Sequence, residues 1–222
     1  MEILIVYLLM LIIPIIANVN INSTYSKYKK KQNVAGKTGY DVAREILDRN
    51  GLGDIYVVET RGNLTDCYDS SRKTVKLSTD IYHGDSIAAI SVAAHECGHA
   101  VQDKEGYSWM RIRSAIFPVV SIGTNLAYLI LIGGLLFQLL DLIYIAIVLT
   151  GLGLLFQLVT LPVEFDASNR AKVFLKEYGV VDNSEEQGVS KMLGSAAMTY
   201  VAGVVSAALE MLYLIMRFTD RN

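Results

Sequence analysis

Cysteine and histidine are scarce in this chain, and net charge is almost absent. Among 222 residues there are two cysteines, Cys67 and Cys97, and three histidines. The cysteines form neither a disulfide framework nor a CxxC pair, which excludes a disulfide-stapled scaffold. A net charge of −2 implies no general attraction to nucleic acid, and none is expected as a partner. No Lys or Arg precedes the first apolar block and no A-x-A site follows it, so a retained anchor is expected in place of a cleaved signal peptide. A phosphate loop is excluded as well. GKT at residues 36–38 lacks the glycine that such a loop needs where Lys31 stands. Gly133, Gly134, Gly151 and Gly153 lie inside apolar blocks, where small residues serve close helix packing.

Apolar residues, by contrast, make up 52% of the chain and come in long blocks, the signature of a membrane protein. The first block covers residues 3–17 and needs to extend to residue 21 to cross a hydrocarbon core of about 30 Å. The second runs over residues 115–140, the third over 142–163 and the fourth over 193–216, with a Leu140-Asp141 turn closing a hairpin between the second and third. Pro14 and Pro118 are expected near helix ends, where proline is tolerated. Five parts follow: an anchor (1–21), a polar part (22–114), a transmembrane hairpin (115–163), a polar helical segment (164–192) and a last transmembrane helix (193–222). Lys27, Lys29, Lys30 and Lys31 follow the first block, Arg111 and Arg113 precede the second, and Arg170, Lys172, Lys176 and Lys191 follow the third. Only Arg217 and Arg221 come after the fourth. The positive-inside rule then places both polar parts in the cytoplasm and both termini outside. Reduced thiols suit that compartment, and Tyr107 and Trp109 suit the interface before the second span.

Within the polar parts, residues 22–37 read as an irregular basic linker, its lysines serving as the topology signal. Thr38 caps an amphipathic helix with Val42, Ile46 and Leu47 on one face and Gly51 at its C-terminal left-handed position. DIYVVE (54–59) and KTVKLS (73–78) alternate as strands, and the tract between them has turn chemistry. A helix over residues 86–102 follows. Residues 164–178 continue the third span as helix, and DNSEEQG is a loop. The fold class is a mostly α membrane protein with a small α+β cytoplasmic part.

The 86–102 helix carries AAHECGHAVQ, and with it two of the three histidines. Residues four apart share a helix face, so His95 and His99 can aim two imidazoles at one ion. Glu96 is turned about 100° away, where its carboxylate reaches a metal-bound water. Zinc lowers the pKa of such a water to about 7 and polarises a carbonyl, and the Glu takes the proton. The alternative is a packed helix with two satisfied histidines. Against it stand the small residues of AAISVAAHECGHA, which admit close neighbours, and Gly98, which is expected to leave the metal-facing surface open. A catalytic zinc needs a third protein ligand. Glu164, at the foot of the third span, is a carboxylate at membrane depth that calls for a cationic partner. Glu105 and His83 remain as alternatives. For the charge that develops on a peptide carbonyl, Tyr200 and Arg170 are the candidate donors. Glu210, inside the fourth span, is either functional or snorkels outward beside Arg217.

The stretches TGYDVAREILDRNGL, NLTDCYDSSRKTVKLS, AAISVAAHECGHAVQ, PVEFDASNRA and AMTYVAG, in this order, resemble the YugP-type neutral zinc metallopeptidases, a family of bacterial membrane proteins. The layout is also similar to the HtpX-type and prenyl-protein membrane proteases. The resemblance implies gluzincin-type ligation by His95, His99 and Glu164, one Zn²⁺ per chain, a zincin-like helix, and Glu96 as general base. The relatives place an Asp four residues after the ligand Glu to orient a ligand histidine. Here Ser168 holds that position and Asp166 lies two residues earlier, so either is a candidate for this support. Cys67 stands where the family carries His and is expected to be buried and inert. In zinc peptidases of this design an edge strand pairs with extended substrate, which assigns the substrate to Lys73, Thr74, Val75, Lys76, Leu77 and Ser78.

The expected function is that of an integral membrane zinc metalloendopeptidase of the bacterial inner membrane, with its active site at the cytoplasmic face. It would cleave membrane proteins or peptides at the bilayer. A catalytically silent zinc-binding scaffold that presents peptides to a partner is the alternative. A transporter fits poorly, because the spans carry few polar residues and show no inverted repeat. A second copy of the chain or a regulatory membrane protein stays open as a partner.

Overall fold

The computed structural model describes residues 2–62 and 65–219. Among them the protein is mostly helical with one small sheet. The elements in order are α1 (Glu2–Tyr28), α2 (Gly39–Arg49), β1 (Tyr56–Thr60), β2 (Cys67–Asp69), β3 (Thr74–Ser78), α3 (Thr79–Tyr82), α4 (Ile87–Glu105), α5 (Ser108–Leu136), α6 (Leu140–Glu177) and α7 (Glu186–Thr219). Four helices are long and apolar enough to cross a membrane: Ile3–Tyr28, Ser108–Leu136, Leu140–Glu177 and Glu186–Phe218. At most 22% of each apolar window is buried. Side chains such as Ile122, Leu129 and Val148 face outward, which suits hydrocarbon and not water.

Several helix limits differ from the sequence reading because helices run past the apolar blocks. α1 continues to Tyr28, into the segment expected to be irregular. Pro14 and Pro118 therefore lie inside α1 and α5, not near their ends. α7 starts at Glu186, a turn or two before its apolar block. The hairpin turn is residues 137–139 and not Leu140-Asp141. Gln138 there adopts φ +57°, and the Leu139 N–H closes the end of α5 on the Gly134 carbonyl at 2.9 Å. Gly134 is required: a Cβ on it would lie 2.8 Å from the Ile143 side chain and 3.2 Å from its backbone nitrogen. Arg221 lies outside the described residues.

The chain forms two compact units. The first takes residues up to 18, 108–162 and from 198 onward. Ile143, Ile147, Leu214 and Phe218 pack together in it. Glu210 on α7 accepts a hydrogen bond from the Tyr128 hydroxyl at 3.0 Å. With Thr124, Thr150 and Gln157 it lines a cavity of about 160 Å³, so it is turned between helices and does not snorkel.

The second unit takes residues 19–107 and 163–197. Thr38 and Asp41 close a capping box on α2, and Gly51 after its end adopts φ +65°. Val42, Ile46 and Leu47 are buried in a core that also takes in Val75 and Leu77 of β3, Ile90 and Ala94 of α4, and Leu175 of α6. Ser86 caps α4 through the Ala89 N–H. The sheet order is β1-β3-β2, with β1 parallel and β2 antiparallel to β3. β3 is thus the central strand, paired on both sides, and the expectation that residues 73–78 offer a free edge is overturned. The overlooked strand is β2, three residues long inside the turn-rich tract, and Asn63 and Leu64 of that tract lie outside the described residues.

One contact sets the spacing of α4 and α6. A Cβ added to Gly98 would lie 2.7 Å from the Ala167 carbonyl oxygen and 3.2 Å from its Cα. Gly98 therefore does not open a surface, as the sequence suggested; it admits the α6 backbone. Gly98→Ala is expected to lower stability by about 1–3 kcal/mol, the usual cost of overpacking. Gly194→Ala, at a helical position with open space around it, is expected to gain up to about 1 kcal/mol from helix propensity. Thermal unfolding of the two variants in detergent checks both signs.

Candidate metal centre

Close approach of α4 and α6 brings three ligand-type side chains together. His95 and His99 project from one face of α4 with ring centroids 4.7 Å apart. Glu164, on the turn of α6 before Ala167, points its carboxylate at both. Its Oε2 is 3.3 Å from His95 Nε2 and 3.6 Å from His99 Nε2. Ligand atoms of the three residues all lie within 4.8 Å of one another. Glu164 and His99 are buried and His95 nearly so. A carboxylate only 2% exposed needs compensating positive charge. Two imidazole nitrogens and a carboxylate oxygen converging on one point, away from bulk water, form a donor set that suits zinc.

Glu96 lies beside this cluster without belonging to it. It is buried, and its Oε2 accepts the Tyr68 N–H of β2 at 2.9 Å. Burial pushes its carboxyl pKa above the usual range, the Glu164 carboxylate adds to the rise, and both imidazoles oppose it. For His99, burial disfavours the charged ring. The hydrogen bond that the ring donates to the Glu164 carboxylate and the charge of Glu96 outweigh this and raise its pKa.

The remaining candidates are distributed around this core. The Ser168 hydroxyl lies 3.2 Å from His95 Nδ1. Asp166 meets no imidazole; it accepts from Arg170 Nε at 2.6 Å and from Gln102 Nε2 at 2.8 Å. Arg170 also pairs with Glu105 at 2.8 Å, which accounts for Glu105 without a metal. His83 pairs with Glu59 at 3.4 Å. Lys73 pairs with Asp54 and Lys76 with Asp69, each at 2.8 Å, as suits a strand held within its own sheet. Tyr200 lies on α7 in the part that belongs to the first unit. Cys67 is exposed, against expectation, because β2 is an edge strand; the buried thiol is Cys97, which donates to the Ala43 carbonyl. Gln102 escaped the sequence reading. It sits three residues after His99 with its Oε1 2.9 Å from His99 Nδ1, and that spacing was its one signal.

Comparison with known proteins agrees with this chemistry. Residues 3–219 match the family model described as "Putative neutral zinc metallopeptidase". The chain is 46% identical over 204 residues to the "Putative membrane protease YugP" of Bacillus subtilis (strain 168), covering 92% of this chain and 91% of that protein. No solved structure matches the chain. The buried imidazole-carboxylate cluster therefore sits in a chain that belongs to the neutral zinc metallopeptidase family.

Proposed function

We propose that the protein is an integral membrane zinc endopeptidase that hydrolyses membrane proteins or peptides at the cytoplasmic face of the bacterial inner membrane. The observation that carries this reading is the meeting of His95, His99 and Glu164 within 4.8 Å, with the Glu96 carboxylate beside them. His95 and His99, on the zincin-like helix α4, and Glu164, on α6, would hold one zinc per chain in gluzincin fashion. Zinc bound there supplies Lewis acidity, which makes a water acidic and polarises the scissile carbonyl. Glu96, with its carboxylate beside the cluster, would accept a proton from an attacking water and return it to the leaving amine. The rigid helices α4 and α6 hold these groups in place, so little reorganisation is needed during the reaction.

β2 replaces β3 as the strand that guides substrate. Of the sheet's two edge strands, β1 and β2, it is the one next to Glu96 of the histidine helix, and the Glu96 carboxylate accepts its Tyr68 N–H. An extended peptide added along that edge places its backbone beside the base, with main-chain hydrogen bonds providing affinity. The cytoplasmic placement rests on the lysines after the first block and on the basic residues that flank the second and third.

Three outcomes are expected. Glu96→Gln retains zinc and loses at least about 100-fold in cleavage of an unfolded protein, within the range for removal of a general base. Wild-type turnover in that variant overturns the assigned role. Glu164→Ala loses zinc, measured by metal analysis of the purified protein, and full occupancy refutes the ligand set. Since Cys67 is exposed and Cys97 buried, a membrane-impermeant maleimide labels Cys67 in inverted vesicles and not in intact cells. Labelling of intact cells reverses the proposed orientation.

A further inference from the structure

Gln102 follows His99 by one turn of α4 and is completely buried. Its Nε2 donates to the Val163 carbonyl and to Asp166 Oδ2, each at 2.8 Å. Both partners are acceptors, and the second is a carboxylate already held by Arg170. An amide carries its hydrogens on nitrogen alone. Turning the Gln102 amide over would set its oxygen against two other oxygens, so its orientation follows from the network. The amide oxygen then faces His99 Nδ1 at 2.9 Å, and only a protonated Nδ1 can meet it. A neutral imidazole protonated at Nδ1 carries its lone pair on Nε2. His99 Nε2 is the atom turned to Glu164.

We infer that Gln102 is a positioning residue that fixes His99 as the Nδ1–H tautomer. With the same amide it ties this imidazole to the turn of α6 that carries Glu164. Val163, whose carbonyl it holds, directly precedes Glu164 in the chain. Asp166 extends the tie along α6. Arg170 then returns it to Glu105 at the last residue of α4. His95 is held differently. Its Nδ1 neighbour is the Ser168 hydroxyl, which can donate or accept and so dictates no tautomer. The role assigned to Gln102 rests on the zinc-peptidase reading above; its hydrogen-bond geometry does not.

The test uses the full chain, purified in detergent and labelled with ¹⁵N-histidine, metal-free and at a pH high enough that the ¹⁵N shifts show the His99 ring to be neutral. Signals of His99 are identified by their loss in His99→Asn. The expected result is Nδ1–H at His99 in the wild type. In Gln102→Leu that preference is lost, and zinc affinity, read by competition with a chromogenic chelator, falls about 10–100-fold. Gln102→Glu keeps an acceptor for His99 but loses both donors to α6. Its tautomer is retained while zinc affinity still falls. Nε2–H at His99 in the wild type overturns the inference. So does wild-type zinc affinity in Gln102→Leu, or a lower thermal midpoint with tautomer and affinity unchanged. Should Gln102→Leu not fold, the wild-type tautomer and Gln102→Glu decide. Zinc binding by the wild type that is indifferent to Glu164→Ala refutes the metal centre itself and leaves the tautomer result standing. Zinc binding that needs Glu164 but not Gln102 refutes this inference alone.

Discussion

The contact of Gly98 with the Ala167 backbone governs the geometry of the centre. With a Cβ only 2.7 Å from a carbonyl oxygen, α4 and α6 could not hold their present separation. Three residues before Gly98 stands His95 and one after it His99; three residues before Ala167 stands Glu164. This close backbone approach therefore lies beside the ligand-type side chains, and widening it would separate the imidazoles from the carboxylate. The alanines around His95 serve the same end on other sides of α4. Ala88, Ala89, Ala93, Ala94 and Ala100 are all buried, and α2 comes near enough for Cys97 to meet the Ala43 carbonyl. Small residues here set distances, which rigid helices pass on to the polar groups.

Close packing also explains how the helix tolerates so much buried polarity. Glu96, His99, Gln102 and Glu164 are all buried, and each has a specific partner. The Tyr68 N–H serves Glu96, and the Val163 carbonyl and Asp166 take the Gln102 donors. A network of this kind is costly when half satisfied and rigid when complete. At the centre the Nε2 and Oε2 atoms face one another, His95 Nε2 at 3.3 Å and His99 Nε2 at 3.6 Å from Glu164 Oε2. Metal ligands must shed their protons to bind, so a cation held there would compete with protons for the same small space.

Legibility in the sequence follows how local each feature is. The four-residue spacing of His95 and His99 is a property of a single helix, and so is the Val42-Ile46-Leu47 face; both could be read directly. Glu164 lies far along the chain from the histidines, but a carboxylate at the end of an apolar helix is anomalous enough to mark itself. β2 was hidden because three residues carry too little alternation to signal a strand, and its loss from the reading made β3 look like an edge. Gly98 was misjudged because a glycine in a helix announces that something comes near without saying what. Gln102 was invisible for the same reason: its partners are Val163 and Asp166, and only the packing of α6 on α4 supplies them. Helix ends were misplaced where apolar blocks and helices differ in extent. A helix stops when its backbone groups find caps, and a block stops when its solvent changes.

Neither α6 nor α7 respects the boundary between the two units. Each is one unbroken helix with a part in either unit: α6 enters the second unit at Val163, and α7 leaves it after Ala197. A loop at residue 163 would leave Glu164 at a mobile end. Continuous helix instead makes the carboxylate part of a rod whose N-terminal portion suits hydrocarbon. Local rigidity of this kind is what a site needs when its ligands come from distant parts of the chain, because helices hold side chains more precisely than loops do.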